Sequence, residues 1–287
     1  MKNWTVYVTT AFIALVISLM IGAITVVPPK ANMAETVYAR VVRTGTLRCA
    51  YQVWPPFVAK DPSTQKFSGI FPDIIEAVAK QANLKLEWVE EVGTASPYEG
   101  FKTGRYDLIC SPFTPTPARA VAADFSVPVT YVPYYLFARV DDNRFDSAYA
   151  AANNPAVKFV TNDGDLSETI IKKNFPKAGI MNLPNLTNAS DMLQNVALKK
   201  ADLVITEASI AYGYMKNNPG KIKQVMGDPV ATPPAAFPLP PDQYALAAMI
   251  NTSLQSLRDT GELNSILQHY EQYPGTFLRP AKPYTTP

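Results

Sequence analysis

Arg105-Tyr-Asp-Leu-Ile-Cys-Ser-Pro-Phe-Thr-Pro-Thr-Pro-Ala-Arg119, continued a few residues on by Asp124-Phe-Ser-Val-Pro128, is a run in which strand, turn and helix signals follow one another without a gap. Asp107 to Cys110 is a short apolar run, the length of a strand buried on both faces of a parallel sheet. It ends in hydroxyls and prolines, where backbone amides leave the ladder and face a cleft. Thr116 before Pro117 reads as a helix N-cap with proline at the first helical position. Arg119 then falls on the first turn. A guanidinium beside unpaired amides, with the Ser111 and Thr114 hydroxyls nearby, makes a corner suited to an anion. Arginine grips a carboxylate through two parallel hydrogen bonds, and the helix terminus adds partial positive charge.

Working outward, Leu198-Lys-Lys-Ala-Asp202-Leu-Val-Ile-Thr206-Glu207 echoes Thr103-Gly-Arg-Tyr-Asp107-Leu-Ile-Cys-Ser111. Each is a basic or glycine turn, an aspartate, a three-residue apolar strand and a polar strand end. One device is used twice, which predicts two lobes and sets Glu207 at the mouth of the second, opposite Arg119. Upstream, Gly45 to Tyr51 reads as the first strand, stopped by Trp54-Pro-Pro-Phe57, which holds aromatics at its C-terminal end. In open α/β sheets that end is where ligands bind. Pro72 to Asn83 has helical spacing of Ile74, Ile75, Val78 and Ala82; Leu84 to Val89 alternates as a strand. Tyr131 to Arg139 and the proline-rich Val230 to Pro241 are both extended, and read as two crossovers between lobes. Between them, Val157 to Thr161 is a strand, and Asn162-Asp-Gly164-Asp165-Leu-Ser167 a turn leading into a helix. Such a turn is a second place for amides to face an anion, so Asp165 and Ser167 join the candidate site. Two helices, Tyr244 to Leu257 and Glu262 to Tyr273, separated by Gly261, precede a loose tail from Phe277.

The 287 residues carry a net charge of +2 with both signs interspersed, which gives nucleic acid no basic face to bind. Val6 to Val27 is uncharged and long enough to cross a bilayer, which takes about 20 apolar residues. We read residues 1–31 as a signal or, preferentially, an uncleaved anchor that holds an exported protein on the outer face of the cytoplasmic membrane. Cys49 and Cys110 are the only cysteines. Export permits a disulfide, but adjacent parallel strands seldom offer its geometry, which favours two buried thiols. Two cysteines and the single histidine, His269, make no strong metal site, and no cofactor is expected.

The order of the central run resembles the signature of the family 3 extracellular solute-binding proteins, the periplasmic amino-acid receptors of ABC importers. The shared order is an aspartate, an apolar strand, small hydroxylic residues, Thr-x-x-Arg, a short helix and Phe-Ser-x-Pro. The resemblance implies an α/β, two-lobe periplasmic-binding-protein-like fold, each lobe a mixed sheet flanked by helices, with two crossover strands as hinge. Residues 45–133 and 235–287 would form the first lobe and 136–230 the second. It further implies a monomer that captures a small zwitterion in the cleft and presents it to a permease. Arg119 and Thr114 would hold the carboxylate from one lobe, with Ser111 and Pro112 beside them, and the turn with Asp165 and Ser167 would grip the ligand from the other. Glu207 would receive the ammonium, and Trp54, Phe57 and Phe113 would border the side chain. The chain departs from the family in three places: Gly69-Ile-Phe-Pro-Asp73-Ile loses the first acid of the usual Gly-Phe-Asp-x-Asp-Leu and keeps the second, Asp165 and Leu166 stand where small hydroxylic residues are usual, and Glu207 where aspartate is. The cyclohexadienyl and arogenate dehydratases look similar along the whole chain. Where that branch carries a lysine and an acid, this chain has Ala235 and Ile210, neither of which moves a proton. No catalysis is therefore expected. A membrane-anchored ligand sensor is the other alternative.

Overall fold

Residues 35–146, 149–225 and 227–281 are described by the computed structural model. The chain divides between Thr36 and Val37, and everything below concerns the unit that begins at Val37. The apolar Val6–Val27 stretch lies outside the described residues; among those described, no helix is long and apolar enough to cross a membrane.

Two sheets carry the α/β fold. In the first, β1 (Thr46–Tyr51) lies between β2 (Lys85–Glu91) and β3 (Leu108–Ile109), all parallel. Leu47, Cys49 and Ala50 of the central strand are wholly buried. Edge strand β2 alternates exposed and half-buried residues, as a strand with one wet face must. The second sheet contains β4 (Tyr134–Arg139), β5 (Lys158–Asn162), β6 (Gly179–Leu183), β7 (Leu203–Glu207) and β8 (Ile222–Gln224). Their order is β6-β5-β7-β4-β8, with β4 antiparallel to both neighbours. Helices α1 (Val37–Thr44), α2 (Ile70–Gln81), α3 (Pro117–Ala120), α4 (Leu166–Asn174), α5 (Ala189–Ala197), α6 (Ala208–Asn217), α7 (Tyr244–Asp259) and α8 (Glu262–Tyr270) complete the element set that matters here. Helix α2 turns Ile70, Phe71, Ile74, Ile75 and Val78 inward, as its spacing predicts. The acid it keeps, Asp73, accepts a 2.7 Å hydrogen bond from the Tyr270 hydroxyl and so ties α8 to α2.

The repeated aspartate turns out to be a register pin. Asp107 precedes β3, accepts the backbone N–H of Arg48 on β1 at 2.8 Å, and donates its own N–H to the Arg48 carbonyl at 2.9 Å. Asp202 precedes β7 and does the same with Lys158 on β5, at 2.9 and 2.8 Å. A side-chain oxygen thus supplies one ladder bond before the strand proper begins. Both carboxylates are balanced by arginine: Asp107, fully buried, by Arg40 and Arg48, and Asp202 by Arg144 at 2.6 Å. A buried carboxylate without such partners would be strongly unfavourable.

The two extended passages lie side by side. Thr130–Tyr131 pairs antiparallel with Pro234–Ala235, Asp124–Phe125 with Pro238–Leu239, and Tyr134 with Ala231. Proline cannot donate, so the ladder takes its donors elsewhere: Val132 gives its N–H to the Pro233 carbonyl and Val129 to that of Ala235, both at 2.9 Å.

Two expectations are corrected. Cys49 and Cys110 are not free thiols but a disulfide, with a Cα–Cα distance of 5.5 Å. Cys49 pairs with Leu108, so Cys110 comes two residues later, on the same face. It lies just past the last residue of β3 and still donates its N–H to the Ala50 carbonyl of β1 at 2.8 Å, so the bond joins two chains that remain at ladder spacing. The tail is not loose where it begins. Phe277 is 1% exposed, and Leu278 exchanges two 2.8 Å hydrogen bonds with Tyr131, adding a third chain beside the passages.

Candidate functional site

Thr116 caps α3: its hydroxyl accepts the Arg119 N–H at 3.2 Å, with Pro117 at the first helical position. That cap fixes where the arginine leaves the backbone. Its guanidinium lies over the Phe113 ring, 5.4 Å from the centroid, and donates to two carbonyl oxygens, those of Thr114 and Gly164, each at 3.1 Å. Gly164 belongs to the turn between β5 and α4, so this contact joins the strand ends of the two sheets. The turn needs glycine there. Its φ is +74°, and an added Cβ would lie 2.8 Å from the Ala95 Cα and 2.9 Å from the Thr94 carbonyl. Thr94 also donates its hydroxyl to the Asp163 carbonyl at 2.6 Å.

Glu207 is the last residue of β7 and caps α6 by position, 6% exposed. One carboxylate oxygen accepts the Trp54 indole N–H at 3.2 Å and the Tyr134 hydroxyl at 2.7 Å; the other accepts the Thr206 hydroxyl at 2.9 Å. Burial pushes its pKa up, and the neighbouring Asp165 charge pushes the same way, against the pull of these donors. Tyr134 is held well above its ordinary range, by burial first and then by the Glu207 charge.

These groups line one cavity of about 40 Å³, shared by Trp54, Phe57, Pro112, Phe113, Thr114, Arg119, Asp165 and Glu207. Ser111 and Ser167 stand apart from its lining. Ser111 is wholly buried and exchanges hydrogen bonds with the Gln52 backbone, accepting its N–H at 2.8 Å. Ser167 is wholly buried as well, and donates its N–H to the Asp165 carboxylate at 2.8 Å. A hollow of about 570 Å³ elsewhere, bordered by Pro56, Asp191, Tyr214 and Tyr273 among others, is far larger. Its lining has no guanidinium or ammonium to set against an acid, so the small cavity is the better candidate for a zwitterion. Among the described residues no cluster could hold a metal ion.

Gln52, Thr94 and Tyr134 line the cavity too, and inspection of the chain did not single them out. Tyr134 meets Glu207 because β4 and β7 pair in a register that sets the two residues opposite each other. No local pattern reveals a pairing between positions so far apart in sequence.

The model of the bacterial extracellular solute-binding proteins, family 3, matches residues 47–273. A probable amino-acid-binding protein of Bacillus subtilis is 24% identical over 283 residues, covering 94% of this chain and 95% of that protein. A probable amino-acid ABC transporter-binding protein of Haemophilus influenzae is 25% identical over 79% of this chain and 85% of its own. Among solved structures, an ancestral amino acid-binding protein, described as a precursor of cyclohexadienyl dehydratase, superposes with a TM-score of 0.72 at 24% identity. It covers 82% of this chain and 99% of its own. The solute receptor for L-cysteine of Neisseria gonorrhoeae gives 0.72 at 20% identity, over 84% and 99%. The two-lobe periplasmic-binding architecture follows from these likenesses.

Proposed function

The chain belongs to the bacterial extracellular solute-binding proteins of family 3, and from that membership we propose that it captures an amino acid outside the cytoplasmic membrane for an ABC importer. The observation that carries the proposal is the pairing of Arg119 and Glu207 on one cavity. One comes from the helix after the first sheet, the other from the end of a strand in the second. A ligand carboxylate at Arg119 and a ligand ammonium at Glu207 would each remove an unpaired charge on closing, which ties closure to a zwitterion. Residues 45–133 and 235–287 act as one lobe and 136–230 as the other, and the paired passages near Thr130 and Pro234 act as hinge. A permease then reads the closed shape of a monomeric receptor. The uncharged N-terminal stretch keeps the receptor at the membrane.

The protein does not turn its ligand over. Ala235 lines the cavity, and a methyl group offers no proton there. Thermal-shift screening of the full chain in mild detergent against the common amino acids tests the proposal. A ligand at a hundredfold excess over its Kd stabilises by about 2.7 kcal/mol. Absence of a shift with every amino acid would sink the reading, as would conversion of added prephenate to phenylpyruvate.

A further inference from the structure

The cavity does not balance its charges. Its lining carries one guanidinium, Arg119, against two carboxylates, Asp165 and Glu207, and no lysine or histidine. The imbalance is not relieved elsewhere. Arg119 directs its two amino groups to main-chain carbonyls, and among the described residues it forms no ion pair with either acid. Glu207 is buried and held by neutral donors, the Trp54 indole and the Tyr134 and Thr206 hydroxyls.

Asp165 alters the second wall in another way. As N-cap of α4, it accepts both the N–H and the hydroxyl of Ser167 on a single oxygen. The helix terminus that could have met a ligand carboxylate is therefore already occupied by a carboxylate of the chain. The other Asp165 oxygen has no hydrogen-bond partner among the described residues. An anion brought to this wall would meet a like charge, whereas a cation would lie near both Asp165 and Glu207.

Resting on the amino-acid reading of the same cavity, we infer that the solute is an amino acid with a second cationic group, and that Asp165 is the residue selecting it. A neutral amino acid contributes one charge of each sign and leaves the lining one negative charge in excess. A basic amino acid brings the total to zero, and charges taken out of water are tolerated when paired. Burial is the main cause of the raised Glu207 pKa, and the Asp165 charge adds to it the cost of holding two carboxylates near each other. A cation between them removes that cost.

Calorimetric titration of the full chain in mild detergent with L-lysine and with L-glutamine reads this directly. Lysine should bind at least about tenfold more tightly, a difference of 1.4 kcal/mol. Asp165→Asn keeps a good N-cap acceptor and should narrow the lysine-to-glutamine ratio to within about threefold, by weakening lysine. Asp165→Ser, also a good cap, serves if the first variant does not fold. Glutamine binding as tightly as lysine to the unaltered protein would overturn the inference while leaving the amino-acid reading intact. An unchanged ratio in the variants would remove Asp165 as the selecting residue. If neither bound and the thermal-shift screen responded only to another neutral amino acid, this inference alone would fall; if a chain that still melts cooperatively responded to no amino acid, the amino-acid reading would fall and this inference with it.

Discussion

Arg119 directs its terminal amino groups to the carbonyls of Thr114 and Gly164 while its face rests on Phe113. Its position is therefore set before any ligand arrives, which lowers the entropy cost of binding. Removing it would leave a bound carboxylate buried and unpaired, a loss of roughly 2–5 kcal/mol. Arg119→Ala should accordingly weaken amino-acid binding by about 30-fold or more. Arg119→Lys should recover little, because an ammonium cannot copy the planar fork. Titration calorimetry on both variants decides it, and affinity within about threefold of the parent for the alanine variant would take Arg119 out of the site. Glu207 makes a different prediction. Its pKa is raised on folding by burial and by Asp165, with Tyr134 and Arg119 also nearby. A raised folded pKa favours the fold below the unfolded value, here near the ordinary 4.5, and that contribution is lost as pH climbs through the folded value. Glu207→Gln has no such loss. Measured by denaturant unfolding, its stability relative to the parent should improve between pH 4 and neutrality; a flat difference would contradict the assignment.

At the scale of elements, the two aspartate pins explain why such short strands hold their register. β3 is only Leu108–Ile109, yet Asp107 adds a side-chain bond to Arg48 just ahead of it. Asp107→Ala would strand that N–H and leave Arg40 and Arg48 without their acid. The two arginine side chains are 21% and 26% exposed, so water can take over part of their solvation. The loss should be about 1–3 kcal/mol, below that expected when a fully buried pair is broken. Asp107→Asn should cost less, since an amide oxygen still accepts from Arg48. Equilibrium urea unfolding checks the order, and an alanine variant as stable as the parent would deny the pin its role. The same elements show what could be read from the chain. The aspartate-strand-polar repeat, the Thr116 cap and the spacing on α2 are all local patterns, and all three recur in the structure. The Cys49–Cys110 bond was not legible, because it depends on the register of two strands far apart in the chain, which sets Cys110 two residues beyond the partner of Cys49.

Across the whole molecule, side-chain contacts join the ends of the two sheets, among them Arg119 to the Gly164 carbonyl, Trp54 to Glu207, and Thr94 to the carbonyls of Asp163 and Asn185. Gly164 is a position where these parts approach closely, with no room for a Cβ. Gly164→Ala would have to move the turn from Thr94 and Ala95, and it would strain a backbone at φ +74°. Ligand affinity should fall by about tenfold or more while each half keeps its own core. Calorimetry paired with a melting curve separates the two effects. Unchanged affinity would mean that the observed approach is not the binding arrangement.

Part of the local order was set by the sequence itself: the strands β1, β2, β3, β5 and β7, the starts of α3, α7 and α8, that a strand device occurs twice, and which residue types could meet a zwitterion. Each of these depends on neighbours within a few positions, where propensity, capping and periodicity act. Tertiary structure decided the rest. It brought Tyr134 onto Glu207 through the pairing of β4 with β7, and turned Ser111 inward onto the Gln52 backbone, away from the cavity. It also laid Leu278 beside Tyr131 and left Asp165 and Glu207 on one wall with a single arginine. Such pairings join positions far apart in the chain, and their energies come from burial and register that no local window contains.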